Sequence, residues 1–382
     1  MRKHIKIVLF IFMWNCFGLT AQEKEPKLFL TGYIKNLHEF SFIDNLDELQ
    51  WTTFLHNRLN FKYTPTEEIK IRLELRNRIY YGDGINNIPG FSTIIGQDNG
   101  VVDLSCNLVN NTIVFNSMID RAMVNYIKGD WDISLGRQRI NWGMNVTWNP
   151  NDIFNTYNFL DFDYEERPGS DAIRVQYYVN DFSKIEVAAK KGKNKEDYIF
   201  ATMYKFNKWS YDVQLLTGIY QKDWVIGVGW AGNLKNTGFK GEVSYFVPFK
   251  KYENSKNIVS ASLSVDYGFK EGLYVNGSLL YNSNANEIDN LESLQYANVS
   301  AKNLMPYKYA GLLQLSKEFT PILSGTLNII YGTKNQSVIA MPSLNYSLAT
   351  NWELNFTGQS FFEFNPYKTL GNTLFMRLRY SF

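Results

Sequence analysis

Three histidines, two cysteines and a scatter of hydroxyl and acidic residues are all this sequence offers for covalent chemistry. His4 and Cys16 lie within the first 21 residues; His38, His56 and Cys106 lie beyond them. One set has the composition of a hydrolytic site: His38 and Ser41 with Asp44 or Asp47, all on one stretch. A nucleophile, a base and an orienting acid are what acyl transfer needs. Crowding of ordinary loop residues accounts for that set better, and the chain reads as a non-enzyme. It carries no HExxH, no CxxC and no glycine-rich turn that could cradle phosphate between a strand and a helix. A Cys/His zinc site lacks ligands. No metal or cofactor is expected.

The charged residues say more. Lys35, Arg58, Lys62, Lys70, Arg72, Arg76, Arg78, Arg121, Arg174, Arg377 and Arg379 recur at alternate positions of otherwise apolar segments. Side chains two apart share one face of a β-strand. These cations therefore share a face, with Glu74 the main interruption. Elsewhere the same face carries Asp212, Gln214, Glu242, Ser260, Ser262, Ser264, Asp266, Asn276, Asn328, Asn345, Glu353, Asn355 and Gln359. A cationic arc thus faces a neutral to acidic one. In a water-filled lumen with low-dielectric walls such an arc attracts anions. The competing account is that these ladders pair across strands and stabilise the sheet. Both can hold.

A second concentration lies in residues 142–169. Asp152, Asp161, Asp163, Glu165 and Glu166 occur there with Trp142, Trp148, Tyr157, Phe159 and Phe162. A loop this aromatic is odd in water. Folded inward against the basic wall, it would bury its rings, pair its carboxylates and narrow the lumen. A surface loop packed on its neighbours is the alternative. Asp161, Asp163, Glu165 and Glu166 could also serve as hard oxygen ligands for calcium, although their spacing fits no known loop motif.

The elements that must position these groups are strands. After Ala21 no window approaches eighteen consecutive apolar residues, and period-two alternation dominates. In Ile69–Tyr81 the residues Ile69, Ile71, Leu73, Leu75 and Ile79 face one way; Lys70, Arg72, Glu74, Arg76 and Arg78 face the other. Eighteen such segments can be counted, most near the ~9–11 residues a tilted membrane strand needs. Tight turns alternate with longer connections, of which 82–117, 142–169 and 284–306 are the extremes. Aromatic residues cluster at the ends of the apolar face, and charges avoid its middle, where each would cost ~2–4 kcal/mol. The reading is an all-β, transmembrane, antiparallel up-and-down barrel of about 18 strands, with 16 as the alternative count. A soluble all-β protein is the other reading. Closure pairs every backbone group, as hydrocarbon requires.

Residues 1–21 read as a secretory signal. Arg2, Lys3 and Lys6 precede an apolar run from Ile7 to Phe17 that is too short to span ~30 Å of hydrocarbon. That leaves 22–382 as the barrel. The signal holds three of the 39 basic residues and none of the 37 acidic ones, leaving 36 against 37. A chain so balanced does not bind nucleic acid through its net charge.

The strings GRQRINWG (Gly136–Gly143), Asn149-Pro150-Asn151-Asp152 and Glu166-Arg167-Pro168-Gly169-Ser170-Asp171-Ala172-Ile173-Arg174 resemble the central segment of Gram-negative porin-like barrels, including alginate-export-type channels. The alternating run ending at Phe382 is similar to the signal read by the barrel-assembly machinery. The resemblance implies an outer-membrane channel for polar or anionic solutes, saccharides among them. By analogy it also implies a homotrimer with a constriction loop after the fifth strand. The other functional reading is a barrel that binds or assembles surface polysaccharide through its long loops.

Overall fold

A computed structural model describes residues 27–44, 46–87, 90–98, 100–110, 112–156, 159–160, 169–194, 197–249, 256–285 and 299–382. Its strands are β1 (Leu28–Phe42), β2 (Gln50–Tyr63), β3 (Ile69–Gly82), β4 (Ser105–Asn110), β5 (Ile113–Lys128), β6 (Trp131–Gln138), β7 (Ser170–Asn180), β8 (Ser183–Lys191), β9 (Tyr198–Lys208), β10 (Tyr211–Tyr220), β11 (Asp223–Leu234), β12 (Thr237–Pro248), β13 (Ile258–Gly268), β14 (Leu273–Asn282), β15 (Tyr309–Thr320), β16 (Leu323–Gly332), β17 (Ser337–Ala349), β18 (Trp352–Phe364) and β19 (Tyr367–Ser381). Each barrel strand pairs antiparallel with its neighbours, and β1 pairs with β19 from Tyr33↔Ser381 to Phe42↔Asn372. The result is a closed antiparallel barrel of 18 strands. Closure leaves no free edge in the wall, so every strand finds its partners without water.

β4 is the one strand outside the barrel wall. The stretch 82–117, read from sequence as one loop, contains β4 and the start of β5. β6 ends at Gln138, paired only with the lower part of β5, and β4 takes the vacated flank of β5 from Ser105↔Met118 to Asn110↔Ile113. An unpaired ladder is thereby covered. Two tight features carry the local geometry. Gly129 adopts φ +54° in the two-residue link between β5 and β6. Gly136 adopts φ +113°, and a Cβ there would lie 2.2 Å from the Ala122 carbonyl oxygen, so only glycine fits.

The two faces of the wall meet different surroundings. Outward positions are large, apolar and exposed, as at Leu73, Leu135, Ile226, Leu279 and Phe356. Ring pairs such as Trp131–Tyr177, Tyr281–Tyr309 and Trp352–Tyr380 stand toward the ends of neighbouring strands on that face. Rings at that level suit a membrane interface. Inward positions fall into two kinds. On β1–β7 and β19 they are mostly charged and amide-rich, with an apolar patch of Leu37, Phe54, Tyr80, Val114 and Phe375 packed under Ile85 and Phe91. On β8–β18 many are small, hydroxylated or apolar, with amides and a few acids such as Glu186 and Glu242 among them, and much of their surface is buried under chain folded into the lumen. Ala188, Ala201, Met203, Leu216, Val225 and Phe246 pack there against Ile140, Trp142, Ile153 and Phe154. Leu280, Leu312, Ile330, Ile339 and Phe361 pack against Trp148, Leu160, Leu304 and Met305.

Candidate functional site

The chain that follows β6 turns into the barrel, and its residues are satisfied from the wall. Trp142 Nε1 donates to Glu186 Oε1 of β8 at 2.7 Å, and Glu186 also accepts from Gln176 at 2.7 Å and Lys184 at 3.1 Å. Three backbone N–H groups of the segment donate to the Glu242 carboxylate: Met144 at 2.5 Å, Asn145 at 2.6 Å and Asn151 at 2.9 Å. Glu242 is completely buried on β12. A carboxylate offers about four acceptor sites, so one side chain serves three loop amides that could not otherwise be dry. Ser244 Oγ donates to the Pro150 carbonyl at 3.0 Å, Ser262 Oγ to the Trp148 carbonyl at 2.8 Å, and Gln359 Nε2 to the Leu160 carbonyl at 3.2 Å. Ser264 Oγ bonds Asn145 Oδ1. The serine-rich face of β12 and β13 therefore works as a landing strip for backbone.

Sequence reading placed this segment against the basic wall through its acids. The described part lands on the opposite wall, through its backbone. Hydroxyls and one carboxylate match amides and carbonyls better than guanidinium groups do. Asp152 is buried and turns back on its own segment, accepting the Trp142 N–H at 3.4 Å. Asp161, Asp163, Glu165 and Glu166 lie outside the described residues.

A second segment, 299–308, also enters the lumen. Asn282 Nδ2 donates to Asn303 Oδ1 at 2.7 Å, and the Lys302 ammonium bonds Asp223 while lying over the Tyr220 and Phe246 rings. Ala301, Leu304, Met305 and Tyr307 are buried. Together the two segments cover much of the β8–β18 side, while on the other side Ile85 and Phe91 pack on the inward Leu37, Phe54, Tyr80, Val114 and Phe375.

On that side the predicted cations separate into two groups. The upper group is partnered, in large part by acids. Arg58 donates to Asp120 and to Glu74, both at 2.6 Å; Arg76 lies 3.3 Å from Asp120, and Arg121 lies 4.0 Å from Glu74. A bulge makes this cluster possible. The β3–β5 register shifts between Glu74 and Leu75, so both Asp120 and Arg121 turn inward from consecutive positions. Arg78 donates to Asn116 Oδ1 at 2.8 Å and to the Ile95 carbonyl at 3.0 Å. Lys35 is fully buried and 5.6 Å from the Tyr33 ring centre, on which Arg379 also stacks at 4.5 Å. Arg174 and Arg377 approach Asp132 and Glu353 at 4.0 and 3.7 Å. The lower group is unmatched. Lys62 and Arg72 are direct cross-strand partners, Lys70 is two residues along, and among the described residues none of the three has a carboxylate partner. Like charges placed opposite destabilise a sheet, so this cluster is held there at a cost.

Arg137, Asp98 and Asp171 form a further node that the sequence reading names only within quoted strings or not at all. Arg137 donates to Asp98 and Asp171, both at 2.7 Å. Asp98 also accepts the Gly100 and Leu104 N–H groups at 2.8 Å. Nearby, the Ser105 hydroxyl and backbone N–H both donate to Asp103, which holds its carboxyl below the usual carboxylate range. Asp120 and Asp98 were legible only as isolated acids, because their partners come from other strands.

Between this node and the inward segment lies a chamber of about 760 Å³, lined by Arg76, Arg78, Asp98, Asp120, Arg137, Asp171, Phe154 and Tyr220 among others. Its charges are mostly neutralised in place, with apolar surface opposite. The hydrolytic set does not assemble. His38 Nδ1 bonds Thr53 Oγ1 at 2.9 Å, while Ser41 bonds Glu39 and Thr373.

A closed 18-stranded barrel with chain folded into a charged lumen defines a porin-like architecture. OccK11 (OpdR) of Pseudomonas aeruginosa superposes with a TM-score of 0.59 at 9% identity, covering 95% of this chain and 100% of that one. OccAB4 of Acinetobacter baumannii gives 0.58 at 9% identity over 95% and 100%. OpdK of Pseudomonas aeruginosa, solved with vanillate, gives 0.56 at 8% identity over 92% and 98%. These neighbours are outer-membrane porins. At such identities the likeness shows the fold alone, and it supports a porin-like barrel without supporting the narrower alginate-export resemblance. No protein-family model and no curated protein matches the sequence.

Proposed function

We propose that this chain is a channel in the outer membrane of a Gram-negative bacterium, passing small polar or anionic solutes by passive diffusion. The observation that carries this reading is the division of the lumen. Two segments are stacked on the β8–β18 wall, and most of the inward cations stand on the wall across from them. The chamber at the arginine node is lined by cations already matched by acids, Arg76 and Arg137 among them, so a solute there meets mostly compensated charge. The segment 142–169 is read as the constriction, since its described part, 142–156, occupies the lumen. An anion preference follows, modest in size because so many of the cations are already paired. Saccharides and small carboxylates both fit such a passage; the likeness to OpdK, solved with vanillate, adds aromatic acids to the solutes worth testing.

The same reading includes export by a signal over residues 1–21, recognition of the Phe382 end by the barrel-assembly machinery, and a homotrimer. Loop display of surface polysaccharide is the less favoured reading, because 140–156 and 299–308 turn inward rather than outward. Planar-bilayer recording of the purified barrel tests the proposal. A steady single-channel current, reduced by an acidic sugar or by vanillate, is the expected result. A silent barrel that retards glycan in affinity electrophoresis would overturn it.

A further inference from the structure

The lipid-facing wall has a defect. Pro342 sits mid-strand in β17, where it has no N–H to give. The β17–β18 ladder runs from Ala340↔Ser360 to Ser343↔Thr357 in one register, but the two intervening pairs are missing. Proline is rare in a strand that has neighbours on both sides. Next to it on β18, in the same outward row, stands Gly358. A Cβ at Gly358 would lie 3.4 Å from Pro342 Cγ and 3.7 Å from Leu374 Cδ2, ordinary contact distances, so packing does not demand glycine there. One row below, β16 contributes Gly325. Phe319 lies over Gly325, and beside it a groove of about 720 Å³ opens in the outer surface, walled largely by leucine, phenylalanine and methionine. That volume falls within the ~300–1,000 Å³ typical of cavities that enclose small ligands.

One residue lining the groove is charged. Lys317 of β15 is paired in register between Leu273 of β14 and Gly325 of β16, and alternation turns it outward with Leu313 and Leu315. It lies three residues from the end of its strand, on the side of the tight turns. Among the described residues its ammonium has no ion-pair or hydrogen-bond partner. The acids of the nearest strands, Asp266, Glu318 and Glu353, stand at alternate positions that face the lumen. A lysine on the lipid face is costly at mid-depth and tolerable only near the interface, where its stem can lift the charge to the headgroups. Hydrocarbon must cover the groove, and an anion must answer the lysine.

We propose that this groove is a binding site for one glycerophospholipid of the leaflet on the tight-turn side. One acyl chain lies over Pro342 and Gly358, and the phosphate meets Lys317. A second copy of this barrel is the less suitable occupant, because its outward wall on β12–β19 offers no acid to the lysine. Association of membrane proteins also lacks the hydrophobic drive available in water.

Native mass spectrometry of the folded barrel, with phosphatidylethanolamine or phosphatidylglycerol added at a fixed ratio, tests the site. One phospholipid retained per chain is expected, with diacylglycerol, which lacks the phosphate, held far less. Lys317→Gln should lower retention about fivefold, the equivalent of about 1 kcal/mol for one lysine near anionic headgroups. Gly358→Phe, which fills the groove, should abolish retention; heat-dependent electrophoretic mobility checks that each variant is folded. Equal retention by wild type and both variants would overturn the proposal. So would a lipid-free wild-type barrel, whether monomeric or assembled through this face.

Discussion

Trp142 and Glu186, 44 residues apart in sequence, meet in a 2.7 Å hydrogen bond with both side chains buried inside the barrel. The indole nitrogen has no water to turn to, and the carboxylate already serves Gln176 and Lys184. Trp142→Phe keeps a ring against Phe154 but removes the donor together with part of the indole's volume, so the loss is at least that of the bond. Hydrogen bonds to charged groups are worth about 1.5–3 kcal/mol, and thermal unfolding should register a loss of that order. An undiminished midpoint would mean that the bond contributes nothing to holding the segment.

Glu242→Gln tests the stronger anchor. An amide of the same shape keeps one acceptor oxygen but puts N–H groups where the other carboxylate oxygen stood, so at least one of the three loop amides loses its acceptor. Each buried donor left unsatisfied costs about 1–3 kcal/mol. The segment should detach from β12 part of the time, and single-channel traces should show larger, noisier currents than wild type. Identical traces would show that the segment stays in place without this carboxylate.

Removing part of 152–166 should raise single-channel conductance, since the segment's described residues occupy the lumen. Unchanged conductance would place the limiting aperture elsewhere.

Asp120→Asn should have two separate effects. It removes the carboxylate that Arg58 and Arg76 share. Breaking a buried pair from one side costs about 3–5 kcal/mol, and unfolding should begin correspondingly earlier. Because the arginine charges are then less compensated, the reversal potential in a salt gradient should move toward anions.

Arg72→Gln should move it the other way, toward cations, and by more than Arg76→Gln. Arg72 stands opposite Lys62 with no carboxylate partner among the described residues, whereas Arg76 is shared with Asp120. Equal shifts would mean that pairing does not decide which cations a solute senses.

Much of the barrel was legible because alternation is enforced by two solvents at once. Leu73 and Lys70 fall on opposite faces for a reason visible in any strand of this period. The charge balance of the wall was less legible. Period two assigns Asp120 to the outward face, and only the bulge beside Glu74 returns it to the lumen next to Arg121. The landing site of 140–156 was also hidden. Acids and aromatics attract notice in a sequence, yet the contacts are made by peptide groups, which every residue has. The serines of β13 read as a bland polar face, and nothing in their spacing says that the carbonyl of Trp148 will settle on Ser262.

The apolar clusters beneath those segments carry a consequence for drift. Where Ala201, Met203 and Leu216 point inward, both faces of the wall reject charge, one because it touches acyl tails and the other because it touches protein. Substitutions there are judged by two independent examiners, whereas across the barrel, at Lys70 or Arg72, only the oily side imposes a test. Sequence change should accumulate unevenly around the circumference, fastest where the water is.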